Sequence, residues 1–314
     1  MFAPILITAF NRPKYLQDLL ESLVHFPSRI YVALDAAKLG DTKNAVLVSK
    51  SIEIINSYGD RITDFRISTE NQGCFLGVSN AISWAFSKES ELIILEEDIQ
   101  VGEAFLIFVS EMLERFREEP SIGSIAGMTF VPVTHLSNAS SSIRFSAYTS
   151  SWGWGTWKDR WQDYERDLKK FPYTNFSHPT NFWTSAKRYY WSRTFSTVAK
   201  GNTDSWAYRW LYSNWENNRL TVIPKENLAL NIGFGSDATH TRDLVVPWWL
   251  PKEISKTFRT NSVPTSISRD LLADNWMERH HFRTEPLQQF RHKLIARFPR
   301  VGTFYRNFKT ICRK

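Results

Sequence analysis

Residues 91–98 read ELIILEED. An uninterrupted aliphatic run over 92–95 suits a strand buried on both faces, as in a sheet covered by helices on each side. It stops at Glu96, Glu97 and Asp98. Three adjacent carboxylates repel one another and are costly to take out of water. A strand that ends this way needs positive charge from somewhere else.

The segments on either side share the pattern. PILITAF (4–10) is a short apolar run, and Pro13 then opens a helix whose stripe is Leu16, Leu19, Leu20 and Leu23. IYVALD (30–35) is the next strand. A helix over 44–57, a strand over 65–68 and a helix over 77–86 lead to ELIIL. A helix carrying Phe105, Phe108, Met112 and Phe116 follows, then the strand IGSIAG. Apolar runs alternating with amphipathic helices predict an α/β fold, a mostly parallel sheet flanked by helices. Ligands of such sheets bind beyond the carboxyl ends of the strands. Asn11 and Arg12, Asp35, and Glu96 to Asp98 all fall at such ends.

Beyond Gly127 the character changes: nine of the 13 Trp lie between Trp152 and Trp215, with helices expected over 181–199 and 205–217 and a strand at LTVIP (220–224). No repeat or low-complexity linker is visible. The net charge of +7 is uneven, because 279–314 holds ten Lys and Arg against the single acid Glu285. The basicity belongs to a tail and not to the body, which argues against a nucleic-acid partner. That tail interleaves Leu287, Phe290, Leu294, Phe298, Tyr305 and Phe308 with its cations. It reads as basic amphipathic helix, suited either to packing on the body or to an anionic membrane surface. Cys74 and Cys312 are too few for a disulfide framework or a zinc site. No run approaches the ~20 apolar residues of a membrane span. The opening MFAPILITAFNRP has no basic leader. A cytoplasmic protein is expected, peripheral on the inner membrane face if it meets a membrane.

No G-x-G-x-x-G follows the first strand, and no G-x-x-x-x-G-K-[ST] loop occurs. Carboxylates at a strand end that hold Mn²⁺ or Mg²⁺ between themselves and two phosphates would serve instead, since these cations prefer hard oxygen ligands. A metal–diphosphate complex is then the missing positive partner of EED; a solvated strand end is the alternative.

The fragments ILITAFNRPKYL, VALDA, NQGCFLGVSNAISWAF, LIILEEDIQVGEAF, SSWGWGTWKDRW, TDSWAYRW and FGSDATHT, spread over about residues 3–241, resemble nucleotide-sugar-dependent glycosyltransferases of the GT-A (Rossmann-like) fold. The likeness is to bacterial sugar transferases related to glycosyltransferase family 2 and to N-acetylglucosaminyltransferase I. It implies a catalytic domain over 1–245, with a nucleotide-sugar-binding half (1–130) and an acceptor-binding half (131–245), and a C-terminal extension over 246–314.

The resemblance also assigns roles. Asp98 becomes a metal ligand, with Glu96 or Glu97 facing the ribose or the metal's water shell. Asn11 and Arg12 contact the nucleotide, and Asp35 reads the base. Asn71 and Gly73 line the donor pocket, and His240 reaches the metal or the diphosphate, with Asp237 a weaker candidate. Trp152, Gly153 and Trp154 form an acceptor-side loop whose indoles stack on sugar, although packing is the commoner use of Trp and at least one is expected in the core. Asp204 is the catalytic base, and its position just before an apolar helical stripe also suits an N-cap.

The expected reaction is inverting transfer from a nucleotide-diphosphate sugar, UDP-GlcNAc foremost, to a glycan or lipid-linked saccharide. A nucleotidyltransferase acting on sugar phosphates and a non-catalytic carbohydrate-binding protein are the rivals. The first wants a Gly-rich basic loop that TAFNRPKYL lacks; the second leaves EED and Asp204 unexplained.

Overall fold

The first 126 residues alternate strand and helix as expected. In order they form β1 (Ile5–Ala9), α1 (Pro13–Leu23), β2 (Ile30–Leu34), α2 (Thr42–Ser57), β3 (Asp64–Ile67), α3 (Gly73–Phe86) and β4 (Glu91–Glu96). After these come β5 (Ile99–Val101), α4 (Glu103–Arg115) and β6 (Ile122–Ala126). The structure is a computed structural model and describes residues 2–168, 171, 184–233, 250–286 and 289. Within that range the chain continues through β7 (Ile143–Ser146), β8 (Trp154–Trp157), α5 (Lys158–Trp161), α6 (Ser185–Ala199), α7 (Ala207–Glu216), β9 (Leu220–Pro224), β10 (Ala229–Asn231) and α8 (Leu271–His280).

The main sheet runs β3-β2-β1-β4-β8-β6-β9-β7. Strands β1 to β4 pair in parallel, as do β6 and β9, whereas β8 lies antiparallel between β4 and β6 and β7 is antiparallel at the edge. This is the α/β architecture expected from the sequence. Strand alternation explains the aliphatic run of β4. Ile93 and Leu95 join the core beneath α1, α2 and α4, while Leu92 and Ile94 join the opposite core with α3, Trp206 and Trp210. All four are fully buried, each contributing about 1.5–3 kcal/mol against exposure.

Strand β8 is a correction. WGTW was read as part of an acceptor loop, but it fills the gap between β4 and β6. Its glycine is the reason: a Cβ at Gly155 would stand 2.7 Å from Val109 Cγ1, so the bare backbone lets α4 lie close across the strand. Trp154 and Trp157 point to opposite faces and enter different cores. The segment after residue 249 is also knitted to the body. Ser142 N–H donates to Ser262 O at 2.9 Å, Phe258 packs edge-on to Phe108, and α8 sends Asp274 and Glu278 into the interior. No helix among the described residues is long and apolar enough to cross a membrane. Most of the basic tail, with Phe290 and Leu294, lies outside the described residues, as does the expected helix start near 181.

Candidate active site

Glu96 closes β4 level with Thr8 of β1, and Glu97 N–H donates to Thr8 O at 3.0 Å. The chain then turns back through Asp98 into β5, which forms a two-stranded ribbon with β10, and Ile232 N–H donates to Asp98 O at 2.9 Å. The acids therefore sit in a turn held by backbone pairing on both sides. Phe10 N–H donates to Glu97 Oε2 at 3.0 Å. Arg12 reaches across from the end of β1 to pair with Asp98 Oδ2. Gly233 lies directly over this pair, where a Cβ would collide with both side chains.

Asp98 Oδ1 is buried without a hydrogen-bond partner. Burial, followed by the charges of Asp98 and Glu97, raises Glu96 to about 8, with Arg12 and a hydrogen bond from Trp206 working the other way. Burial also raises Glu97 to about 7, opposed first by the Phe10 hydrogen bond and then by Arg12. Arg12 thus compensates the three carboxylates only in part.

No three His, Cys, Asp or Glu side chains converge into a metal cage among the described residues. The donors present are hard oxygens, one of them unpartnered and buried. They fit a divalent cation that takes most of its ligands from a bound diphosphate and water. His240 and Asp237 lie outside the described residues.

The second half of the site is the first turn of α3. An α-helix leaves its first N–H groups without intrahelical partners. Here two carboxylates from distant parts of the chain take them. Asp35 accepts from Gln72 N at 3.0 Å and Gly73 N at 3.1 Å, and Asp204 accepts from Cys74 N at 3.0 Å and Phe75 N at 2.7 Å. Burial raises the Asp35 pKa against these bonds. Asn71 donates to Asp35 Oδ2 at 3.2 Å and Ala36 O at 2.7 Å, which closes the turn. Gly73 has φ +71°, and a Cβ there would come within 2.7 Å of Asp204 Oδ2. This corrects the expectation for Asp204 as a cap. It caps α3 and not the helix that follows it, since α7 begins at Ala207 with no side-chain cap.

Trp206 joins the two halves. It follows Asp204 by two residues, its side chain hydrogen-bonds Glu96, and its ring stacks on Trp154 at 5.3 Å and 17°. Trp154 is only 1% exposed, so it is core and offers no face to a sugar. Trp152 is half-buried and packs against the same core as Ile99 and Phe105. Gly153 turns the chain between them at φ +72°. Asn11 donates to Asn44 Oδ1 at 2.8 Å in the first turn of α2. Sequence reading missed Trp206, Gly233 and the N–H groups of Cys74 and Phe75. Only Trp206 left a trace, as the first residue of the apolar stripe after Asp204.

The chain is thus an α/β protein with a partly compensated acidic rim facing a carboxylate-capped helix turn. No protein-family model matches it, and no curated protein matches it. Among solved structures it is similar to Staphylococcus aureus TarS at 13% identity and TM-score 0.43, covering 73% of this chain and 36% of that one. TarS residues 1–349 in complex with UDP-GlcNAc give 12%, 0.42, and 73% and 58% coverage. GalNAc-T7 with UDP, GalNAc and Mn²⁺ gives 10%, 0.43, and 72% and 43%. The chain spans less than two thirds of each of these proteins. Likeness at this level leaves function to the site itself.

Proposed function

We propose that the rim is the donor site of a metal-dependent glycosyltransferase. The reaction moves a sugar from a nucleotide-diphosphate sugar, UDP-GlcNAc being the leading candidate, to a hydroxyl of a glycan or lipid-linked saccharide. The observation that carries this reading is the buried Asp98 Oδ1, which makes no hydrogen bond, among three carboxylates that share the cation Arg12 among the described residues. Asp98, with Glu96 beside it, would hold Mn²⁺ or Mg²⁺, and His240 is the further candidate. When bound, the cation supplies positive charge against the diphosphate.

The remaining work falls to the chain's own groups. Arg12 is placed to pass its guanidinium from Asp98 to a phosphate oxygen, a geometry for which Arg is suited. Asp35, Asn71 and Asn11 occupy the nucleotide side of the rim, and Gly73 keeps the α3 turn low enough for close approach. Asp204, held at that turn and exposed, takes the proton of the acceptor hydroxyl as its oxygen forms a bond to the anomeric carbon. The bond to the diphosphate breaks with its electron pair leaving on phosphate oxygen. One base opposite one leaving group gives inversion. Trp152 and Gly153 stand on the acceptor side, and Trp154 supports them from the core. The basic tail would rest on an anionic membrane from the cytoplasmic side, where a lipid-linked acceptor is found. Loss of sedimentation with anionic liposomes on removal of residues 290–314 is expected, and unchanged sedimentation removes the membrane from the proposal.

The test is incubation with UDP-, GDP- and dTDP-sugars and Mn²⁺, following the released nucleotide. Release of nucleoside diphosphate that disappears in Asp98→Ala is expected. Release of pyrophosphate from a nucleoside triphosphate and a sugar phosphate would instead mark a nucleotidyltransferase. Sugar binding without turnover would mark a carbohydrate-binding protein.

A further inference from the structure

The carboxylate at residue 204 sits on a short loop, and a buried arginine on the following helix holds that loop. Arg209 on α7 is 5% exposed. Its guanidinium donates to three backbone carbonyls: Ser205 O at 2.7 Å, Arg166 O at 2.8 Å and Val198 O at 3.2 Å. It thereby ties together the residue after Asp204, the end of α6 and the segment after α5. Its flat face lies 3.6 Å from the centre of the Phe75 ring. Phe75 is the residue whose N–H donates to Asp204 Oδ1 at 2.7 Å. One guanidinium therefore grips the loop that carries the carboxylate and the helix turn that receives it.

Three further points narrow the role. Arginine is suited to this double use, because its rigid planar fork donates in plane while its face remains free to stack. Lysine has neither the fork nor the face. No acid within ion-pair distance meets Arg209 among the described residues; burial lowers its pKa, opposed by Tyr164 and by the more distant charges of Asp204 and Asp167. Burying a cation is costly unless hydrogen bonds satisfy its donors, and here three carbonyls do so.

We infer that Arg209 is a positioning residue for Asp204, acting through Ser205 and Phe75. It fixes where the carboxylate sits relative to the first turn of α3 and touches no group assigned to the nucleotide or the metal. The activity half of this inference rests on the transferase reading; the structural half does not.

The full chain is compared with Arg209→Lys and with Phe75→Leu, the second removing the stack while keeping the carbonyl bonds, so that one poorly folding variant does not decide the matter. The first readout is amide hydrogen exchange at Cys74 and Phe75. Loosening a charge-assisted hydrogen bond predicts exchange about tenfold faster in both variants, with the amides of β4 unchanged. The second readout is UDP-GlcNAc turnover with Mn²⁺. The expected result is a fall in kcat with KM for the donor within about twofold, a shifted acidic limb of the pH profile, and no further loss when Arg209→Lys is added to Asp204→Asn. Wild-type exchange at Cys74 and Phe75 in both variants overturns the inference, as does additive loss in the double variant. Faster exchange in a protein that turns over no nucleotide sugar keeps Arg209 as the positioner of Asp204 and overturns the transferase reading instead.

Discussion

Two of the places where this molecule buries carboxylates are built on opposite terms. Around α8, Asp274 accepts from Ser146 Oγ at 2.5 Å, Arg269 Nε at 2.6 Å, Ala147 N at 2.9 Å and Arg144 Nη1 at 3.3 Å. Glu278 accepts from Tyr148 OH at 2.5 Å and Arg269 Nη2 at 3.1 Å and pairs with Lys187. Two acids there meet three cations. At the rim, among the described residues, three acids meet the cation Arg12, and Asp98 Oδ1 is left without a hydrogen bond. The first arrangement has cations enough for its acids, although Arg144 Nε and Glu278 Oε2 make no hydrogen bond, and it joins β7, α6 and α8 into one body. Among the described residues the second is short of positive charge. Burial of acids alone does not mark a functional site; the balance around them does.

The comparison is broken most directly by deleting one acid from each place. Asp274→Ala removes the carboxylate that pairs with Arg144 and one of the two that pair with Arg269, and should cost about 3–5 kcal/mol of stability, read by urea unfolding. Asp98→Asn relieves repulsion while keeping shape, so its stability should stay within about 1 kcal/mol of wild type or rise. Equal costs at the two positions would remove the distinction.

Function should show the reverse. Asp98→Ala is expected to lower nucleoside diphosphate release by about 10²–10³, and to abolish the rise in melting temperature that Mn²⁺ gives with UDP. The pH dependence sharpens the contrast. Glu96 at about 8 and Glu97 at about 7 stand above the ordinary carboxylate range. Between about pH 5 and 8 the folded chain therefore holds protons that the unfolded chain has released, so stability must fall as pH rises through that window. The decline is expected in chelator-containing buffer and should be partly flattened by Glu96→Gln. A stability curve flat over that range would show that the rim is better compensated than its geometry indicates.

The sequence made one of these two places legible and hid the other. EED was visible because its acids are adjacent, and adjacency after an aliphatic run needs no tertiary knowledge. Strands β1 to β4 and their helices were visible for the same reason, since each buries its own periodic face. Asp274 and Glu278 were not, because their partners Arg144, Tyr148 and Lys187 lie far off in the chain and α8 is too short to show a strong stripe. Strand β8 was hidden by its glycine and tryptophans, which read as a loop until α4 is seen pressing on Gly155. Asp204 was seen as a helix cap from local sequence, but the helix it caps is 130 residues earlier in the chain. Capping across the fold has no local signature.

The smallest expected effect tests that long-range cap. Gly73 and Gly59 both lie at positive φ, +71° and +48°, but they differ in surroundings. A Cβ at Gly59 meets nothing within 4 Å, whereas one at Gly73 meets Asp204 Oδ2 at 2.7 Å. Alanine at either position carries the backbone cost of an L-residue in the left-handed region, about 1–2 kcal/mol. Gly59→Ala should show that cost in the urea midpoint and leave turnover alone. Gly73→Ala should show a larger stability loss and also lower kcat, because the new methyl pushes the carboxylate off the Cys74 and Phe75 amides. Subtracting one variant from the other leaves the contribution of the carboxylate contact itself. If both variants lose stability equally and neither loses turnover, Asp204 does not work from the position in which α3 holds it.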